Sequence, residues 1–361
     1  MYMPTRQRFT KVKKLIPQPI QHILVVMLLT FHKSRPNLSP EKISRLTRSL
    51  SIVIRNMFLK KPSLAAMTAY RKNIKIYDAF LFFNELELLK LRLHILDKYV
   101  DFFVIIESTE TFTGIAKPLV FDEHKEDFKE FKDRIIHYVV RNTPKSVDDI
   151  RQRLLDSQLS PLEKEILSVT LTTDSIPQDQ TQWLKEFYQK EAIKYALTGL
   201  SDNDVVYISD IDEIWNPEIP IDYSRDDLYK YKQTAYYYYL NNRSNDDWRN
   251  WNGTIVTKYK NIRRGCINHL RNANKNIYTV IKNGGWHFTF QGGVERIKQK
   301  LESYGHQEFN TTEVKSQLED VLSQNRDYRG RNLKFWTDES QLPKYLLKHR
   351  EEYTRLFKPN T

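Results

Sequence analysis

The stretch Asp204–Glu213 reads DVVYISDIDE. Val205 to Ile208 form an apolar run that stops in Ser209, Asp210, Ile211, Asp212 and Glu213. A run of this length, bounded by polar residues, predicts a short buried strand. Its end then lies at the carboxyl edge of a sheet, where open α/β sheets bind ligands. An extended chain sends Asp210 and Asp212, two residues apart, to one side. Two hard oxygen ligands on one side suit Mg²⁺ or Mn²⁺, which a diphosphate would share. No Lys or Arg stands in this stretch, and carboxylates so close repel one another unless a cation lies between them. The competing reading is an ordinary turn after a strand, which Ser and Asp both favour.

Outward from this stretch the chain alternates strand and helix. Ile76–Phe83, IYDAFLFF, reads as a strongly apolar strand. Asn84 and Glu85 then open a helical pattern, with Leu86, Leu89, Leu93 and Leu96 spaced by three and four. Asp101 leads into FFVIIE, a second buried strand ending at Glu107. Strand, helix and strand within about thirty residues make the βαβ signature of a parallel sheet. After the polar loop Ser108–Pro118, a charged helical segment covers Asp122–Lys132 and a third strand covers Arg134–Val140. Arg141–Gln180 reads as a long polar excursion, and Thr181–Leu200 as an amphipathic helix ending near Gly199. The strand of Asp210 follows. Beyond it the pattern predicts one long aromatic strand over Leu228–Leu240, then strands near Thr254–Tyr259 and Ile277–Ile281. Helices are predicted over Val294–Tyr304, Thr312–Ser323 and Leu342–Phe357. The whole predicts an α/β fold with its ligand site at Asp210.

Charge divides the chain of 361 residues into two parts. Its net charge is +12, but residues 1–72 hold fifteen Lys or Arg against the single acid Glu41, which is +14. The remainder, with 42 basic and 44 acidic residues, carries −2. We therefore divide the chain into a basic N-terminal arm, residues 1–73, helical or membrane-peripheral, and a domain over 74–361. A basic arm suits an anionic lipid surface. The near-neutral domain weighs against nucleic acid as the main partner, because duplex binding needs an extended basic face. Ile23–Phe31, ILVVMLLTF, is nine apolar residues, where a spanning helix needs about twenty. An interfacial helix or a helix packed on the domain is the expectation. Cys266 is the only cysteine, so an intrachain disulfide and a Cys-rich metal site are excluded. It is expected to be a small buried apolar residue. These features point to a cytoplasmic or membrane-peripheral location.

A second informative stretch is Gly284–Gly293, GGWHFTFQGG. Glycine permits close backbone approach to a ligand. The imidazole of His287 could complete a Mn²⁺ site begun by carboxylates. The alternative is a buried His beside Trp286, bonded to backbone.

Four blocks occur in order: IYDAFLFFNELELLKLRLHIL, VDFFVIIESTETFTGIAKPL, DNDVVYISDIDEI and GGWHFTFQGGVERIKQKLESYGHQEFN. Together, over Lys75–Asn310, they resemble glycosyltransferase family 17, known for adding bisecting N-acetylglucosamine to N-glycans. The resemblance implies a GT-A-like single catalytic domain with a mostly parallel central sheet, a UDP-sugar donor, a divalent Mn²⁺ or Mg²⁺, a glycan acceptor and inversion at the anomeric carbon. Carried over by position, Asp210 and Asp212 are the metal and diphosphate residues, Glu213 stands at the site's edge, and His287 joins the metal. Asn84, Glu85, Glu107 and Ser108, at the ends of the first two strands, fall where such folds hold the nucleotide. Glu85 alternatively favours a helix start, and Glu107 alternatively pairs with Lys117.

An inverting transfer needs a base to take the acceptor's proton. Asp246, Asp247 and Glu295 are the candidates, with Asp247 beside Trp248 and Trp251, rings suited to stacking on sugars. A metal-dependent nucleotidyltransferase is the alternative enzyme class, but GGVERIKQK has the wrong spacing for a phosphate-binding loop. A basic membrane- or nucleic-acid-binding protein without catalysis is the alternative outside enzymes.

Overall fold

A computed structural model describes residue 71 and residues 73–173, 180–245, 252–272 and 278–359. Residues 1–70, with Ile23–Phe31, and the pair Asp246 and Asp247 with Trp248 and Trp251 lie outside the described residues.

Seven strands form the larger sheet: β1 (Ile76–Phe82), β2 (Phe102–Ser108), β3 (Ile135–Val140), β4 (Val205–Asp210), β6 (Tyr229–Lys232), β9 (Asn252–Lys258) and β10 (Thr279–Ile281). Their order is β10-β6-β9-β4-β1-β2-β3. The four strands β4, β1, β2 and β3 run parallel, β9 is antiparallel to both its neighbours, and β10 is parallel to β6. The apolar runs are unbroken because both faces are covered. Ile76, Phe80, Phe103 and Tyr207 enter one buried cluster. Ala79, Val104, Ile106, Val206 and Ile208 enter a second on the opposite face. The predicted helix is α1 (Leu86–Leu96), which buries Leu88, Leu89, Leu93 and Leu96 in the first cluster.

A second, mixed sheet contains β5 (Glu213–Trp215), β7 (Thr234–Tyr237), β8 (Asn242–Ser244), β11 (Gly285–Thr289) and β12 (Phe335–Thr337), in the order β12-β8-β7-β11-β5. The long aromatic strand expected over Leu228–Leu240 is therefore two strands. The chain leaves the first sheet after Lys232, passes the buried Gln233, and enters the second sheet at Thr234. Tyr238 then takes a left-handed φ of 68° and ends β7. Apolar alternation continues through the change of sheet because both sheets bury their aromatics.

The excursion expected over Arg141–Gln180 holds helices Val147–Arg153 and Pro161–Thr172. Ser146 caps the first, and Ser160 with Glu163 forms a capping box on the second, with Pro161 in its first turn. The helix over Thr181–Leu200 is α2 (Thr181–Glu191), followed by a short turn of helix at Ile193–Ala196. Downstream lie α3 (Ile267–Arg271) and α4 (Gly293–Ser303). The segment Leu342–Phe357 is a short helix, Lys344–Lys348, and a 3-10 helix, Arg350–Leu356. Among the described residues no helix is long and apolar enough to cross a membrane.

Candidate active site

Order reverses at β1: β2 lies on one side of it and β4 on the other. Such a switch point leaves a crevice beyond the carboxyl ends of the strands. Asp210, the last residue of β4, is in register with Leu81 near the end of β1, and both line a cavity of about 800 Å³. Asp212 lies in the turn that links β4 to β5, so the two carboxylates do not face one side of a single strand as the alternation rule suggested. Both nonetheless line the cavity.

The carboxylates, unaccompanied in sequence, are met by cations from distant parts of the chain. Arg271, the last residue of α3, donates from Nη2 to Asp210 Oδ2 at 3.0 Å and to Glu213 Oε1 at 3.1 Å. Lys300, on α4, donates from Nζ to Asp212 Oδ2 at 2.7 Å. Lys190, on α2, lines the same cavity and bonds Glu186 Oε1 at 2.5 Å. Burial alone would raise the Asp212 carboxyl; Lys300 and then His287 outweigh it and hold the group well below the usual carboxylate range. Burial likewise works against Asp210, and Arg271 and Lys190 outweigh it, lowering its pKa. Glu213 is fully buried, and there burial wins and pushes the carboxyl up against the opposing Arg271.

A buried ion pair fixes the floor. Asp78, inside apolar β1, and Arg92, inside apolar α1, are both fully buried. Arg92 Nε and Nη2 donate to Asp78 Oδ2 and Oδ1, each at 2.7 Å. Arg92 Nη2 also reaches Ser209 Oγ at 2.6 Å. Its Nη1 donates to the carbonyls of Asp210 and Glu213 at 3.0 Å and of Ile211 at 3.3 Å. One guanidinium thus holds the turn that presents both aspartates. Trp215 Nε1 completes Asp78 at 3.0 Å.

The other stretch also converges here. His287, in β11, is opposite Glu213 in β5, and its Nε2 lies 3.7 Å from Asp212 Oδ2. The glycines before it serve packing rather than ligand approach. Gly285 has a φ of 124°, and a Cβ there would run into the backbone of Ile214 and Asn216.

A divalent cation about 2.1 Å from each donor fits the 3.7 Å between Asp212 and His287, although Lys300 shares the same carboxylate oxygen. No three of His, Cys, Asp and Glu group as a metal shell among the described residues. A cation here would take its remaining ligands from phosphate and water, as Mg²⁺ commonly does. Formally, the four carboxylates Asp210, Asp212, Glu213 and Glu186 face the three cations Arg271, Lys300 and Lys190. A diphosphate would deepen that shortage of positive charge.

The remaining residues singled out from sequence take varied places. Glu85 lines the cavity and accepts backbone N–H groups of Phe83 and Asn84 at 3.3 and 3.0 Å. Ser108 lines it too, its Oγ accepting Glu110 N at 3.3 Å. Asn84 lies by a small adjoining cleft and bonds Gln299 at 3.2 Å. Glu107 is fully buried and accepts from Lys117 at 3.4 Å and from Phe121 N at 3.1 Å, with His137 at 3.1 Å. Glu295 is exposed on α4, paired with Lys298 at 2.7 Å, and does not line the cavity. Asp247 lies outside the described residues. Cys266 is half-buried rather than a plain core residue: its thiol donates to Glu191 at 3.0 Å, and burial pushes its pKa up.

A cavity lined by paired acids and bases at the switch point of a largely parallel sheet is where α/β folds bind ligands, and it is the candidate site here. The family model of glycosyltransferase family 17 matches residues 57–157, the segment that carries β1, α1, β2 and β3. Over that segment the chain is similar to the glycosyltransferases of that family. The matched segment ends before β4, so Asp210, Asp212 and His287 lie beyond it. No curated protein matches the chain.

Proposed function

We propose that the chain is an inverting, metal-dependent glycosyltransferase of GT-A type. It moves a sugar, N-acetylglucosamine by family, from a UDP-sugar to a glycan hydroxyl. The observation that carries the reading is the convergence of Asp210, Asp212, His287, Arg271 and Lys300 on one cavity at the carboxyl ends of β1 and β4. A volume near 800 Å³ suits a nucleotide sugar.

In this reading Asp212 and His287 hold Mn²⁺ or Mg²⁺ beside Asp210, with Glu213 at the edge. A cation held there would supply neutralisation of the charge that develops on the departing diphosphate. Arg271, Lys300 and Lys190 present fixed positive charge to the same group, where a low-dielectric cavity makes it more effective than in water. Asn84, Glu85, Glu107 and Ser108 are the proposed nucleotide side, with Glu85 and Ser108 in direct line of the cavity. The acceptor hydroxyl attacks C1 from the opposite face, and its proton passes to a carboxylate. Asp247 is the proposed base; Glu295, exposed and paired with Lys298 away from the cavity, is set aside. Gly253, close to Asp247 in sequence, lines the cavity. The +14 arm, residues 1–72, would bring the enzyme to anionic membranes.

A panel of nucleotide sugars, with Mn²⁺ or EDTA, scored for release of the nucleoside diphosphate, tests the reading. Metal-dependent release from one UDP-sugar is expected. No release from any sugar nucleotide by the folded, metal-supplied protein would overturn it.

A further inference from the structure

Among the described residues six Lys or Arg side chains line the cavity, and five of them have a carboxylate partner. Lys117 pairs with Glu107 at 3.4 Å, Lys190 with Glu186 at 2.5 Å and Arg271 with Asp210 at 3.0 Å. Lys300 pairs with Asp212 at 2.7 Å, and Arg331 with Asp327 at 2.8 Å. Arg329 is different. Its Nε donates to the phenol of Tyr328 at 2.9 Å, and among the described residues no carboxylate lies within ion-pair distance. Glu308 pairs with His306 at 2.7 Å and feels Arg329 only through a weaker charge interaction, not as an ion pair.

The surroundings hold the guanidinium in place. It lies 4.6 Å from the centroid of Phe309 and 5.4 Å from that of Tyr328. Tyr328 and Tyr304 share a hydrogen bond of 3.2 Å between phenols. Tyr304, which caps α4 four residues after Lys300, lines the cavity together with Arg329. Trp183 and His306, edge to face at 4.8 Å, line it as well. Aromatic walls with a fixed, unneutralised guanidinium suit a sugar that carries a negative charge, since Arg binds carboxylate and phosphate with paired donors.

We propose that Arg329, held by Tyr328 and flanked by Tyr304 and Trp183 in the cavity lining, forms an acceptor subsite for an anionic glycan, one bearing a carboxylate or a phosphate. The proposal rests on the glycosyltransferase reading for what the glycan does there, but not for its binding. A neutral acceptor leaves the guanidinium with the Tyr328 phenol and the aromatic faces but no opposite charge. A charged one gains a charge-assisted bond.

The test measures binding by calorimetry, which needs no turnover, on the full chain. The probes are a glucuronate-terminated oligosaccharide, its methyl ester, and matched oligosaccharides with and without a phosphate monoester. One of the two acids is expected to bind about tenfold tighter than its neutral partner, the scale of one charge-assisted hydrogen bond, and which one it is names the source of the charge. Arg329→Gln should bring that ratio to about one, and Arg329→Lys should keep part of it, with melting curves confirming the fold of each. Equal binding of charged and neutral probes by the unaltered protein would overturn the subsite. So would a ratio preserved in Arg329→Gln, or a loss of UDP binding in that variant without any discrimination among glycans. Release of UDP from a sugar nucleotide, measured separately, reports on the glycosyltransferase reading alone.

Discussion

Replacing Arg92 by Met should cost about 4 kcal/mol of folding stability. Six hydrogen bonds leave this fully buried guanidinium: two to Asp78, one to Ser209 Oγ and three to carbonyls of the turn at Asp210–Glu213. Methionine fills much of the volume but makes none of them. It leaves Asp78 as a buried charge with Trp215 Nε1 as its remaining donor. Removing one partner of a buried pair costs about 3–5 kcal/mol. Orphaned carbonyls cost about 1–3 kcal/mol each, but these terms share one cause and do not add. A loss of about 4 kcal/mol is a large part of a domain's total of about 5–15 kcal/mol. Asp78→Leu alone should also destabilise, by stranding Arg92. The pair together should cost less than the sum by about 2 kcal/mol or more, because no buried charge is then unmatched. Urea unfolding of the two single variants and the double variant gives all three numbers. Strict additivity, or a cost under about 1 kcal/mol for Arg92→Met, would refute the role assigned to this pair. Arg92→Lys should not rescue it, since one ammonium cannot span a carboxylate and three carbonyls.

Other outcomes follow from the same geometry. His287→Ala should weaken Mn²⁺ dependence and activity together, and added Mn²⁺ should partly restore the rate; a depressed melting point with unchanged Mn²⁺ titration would make His287 structural. Gly305→Ala should lower transfer about tenfold, because a Cβ there runs into Glu186 and Trp183 at the cavity wall, and unaltered kinetics would show that the wall yields. Lys230, buried on β6, is pushed down to about 8 from 10.5 by burial and then by Arg271. Its unfolded form binds more protons between those values, so the native state gains on a Lys230→Met variant as pH rises through that window. A gap in melting temperature that stays constant from pH 7 to pH 10 would contradict that placement. Deleting residues 1–72 should abolish salt-sensitive sedimentation with anionic liposomes and leave donor chemistry intact, and equal lipid binding by both forms would remove the arm's assigned part.

The strands that frame the site are legible because they are apolar without interruption. Val205–Ile208 and Phe103–Ile106 are buried on both faces, and only a strand between two layers asks for that. The carboxylates after β4 mark the crevice because they break the apolar run at the strand's end, before the chain resumes burial at Ile214 and Trp215. Their partners were not legible. Arg271 and Lys300 lie on α3 and α4, far along the chain, and no local pattern separates them from the other basic residues. Asp78 did carry a mark as the lone charge in an apolar strand, whereas Arg92, fourteen residues on, shares its helix with Glu87, Lys90 and His94 and is not marked out by sequence. The split of Leu228–Leu240 into two sheets falls at Gln233, buried between β6 and β7 and flanked by Lys232 and Thr234, a polar triplet in an otherwise aromatic stretch. The capping box Ser160–Glu163 and Pro161 were readable, and length and polarity hid the helix behind them.

The most direct measurement of the central claim is donor turnover by the unaltered protein beside Asp212→Ala. The substrate is UDP-N-acetylglucosamine with Mn²⁺, the readout is UDP released, and a melting curve confirms that the variant is folded. Loss of the carboxylate that joins Lys300 and His287 removes several kcal/mol of leaving-group stabilisation, so release should fall about a thousandfold or more. Undiminished UDP release by folded Asp212→Ala would contradict the placement of the donor diphosphate at this cavity.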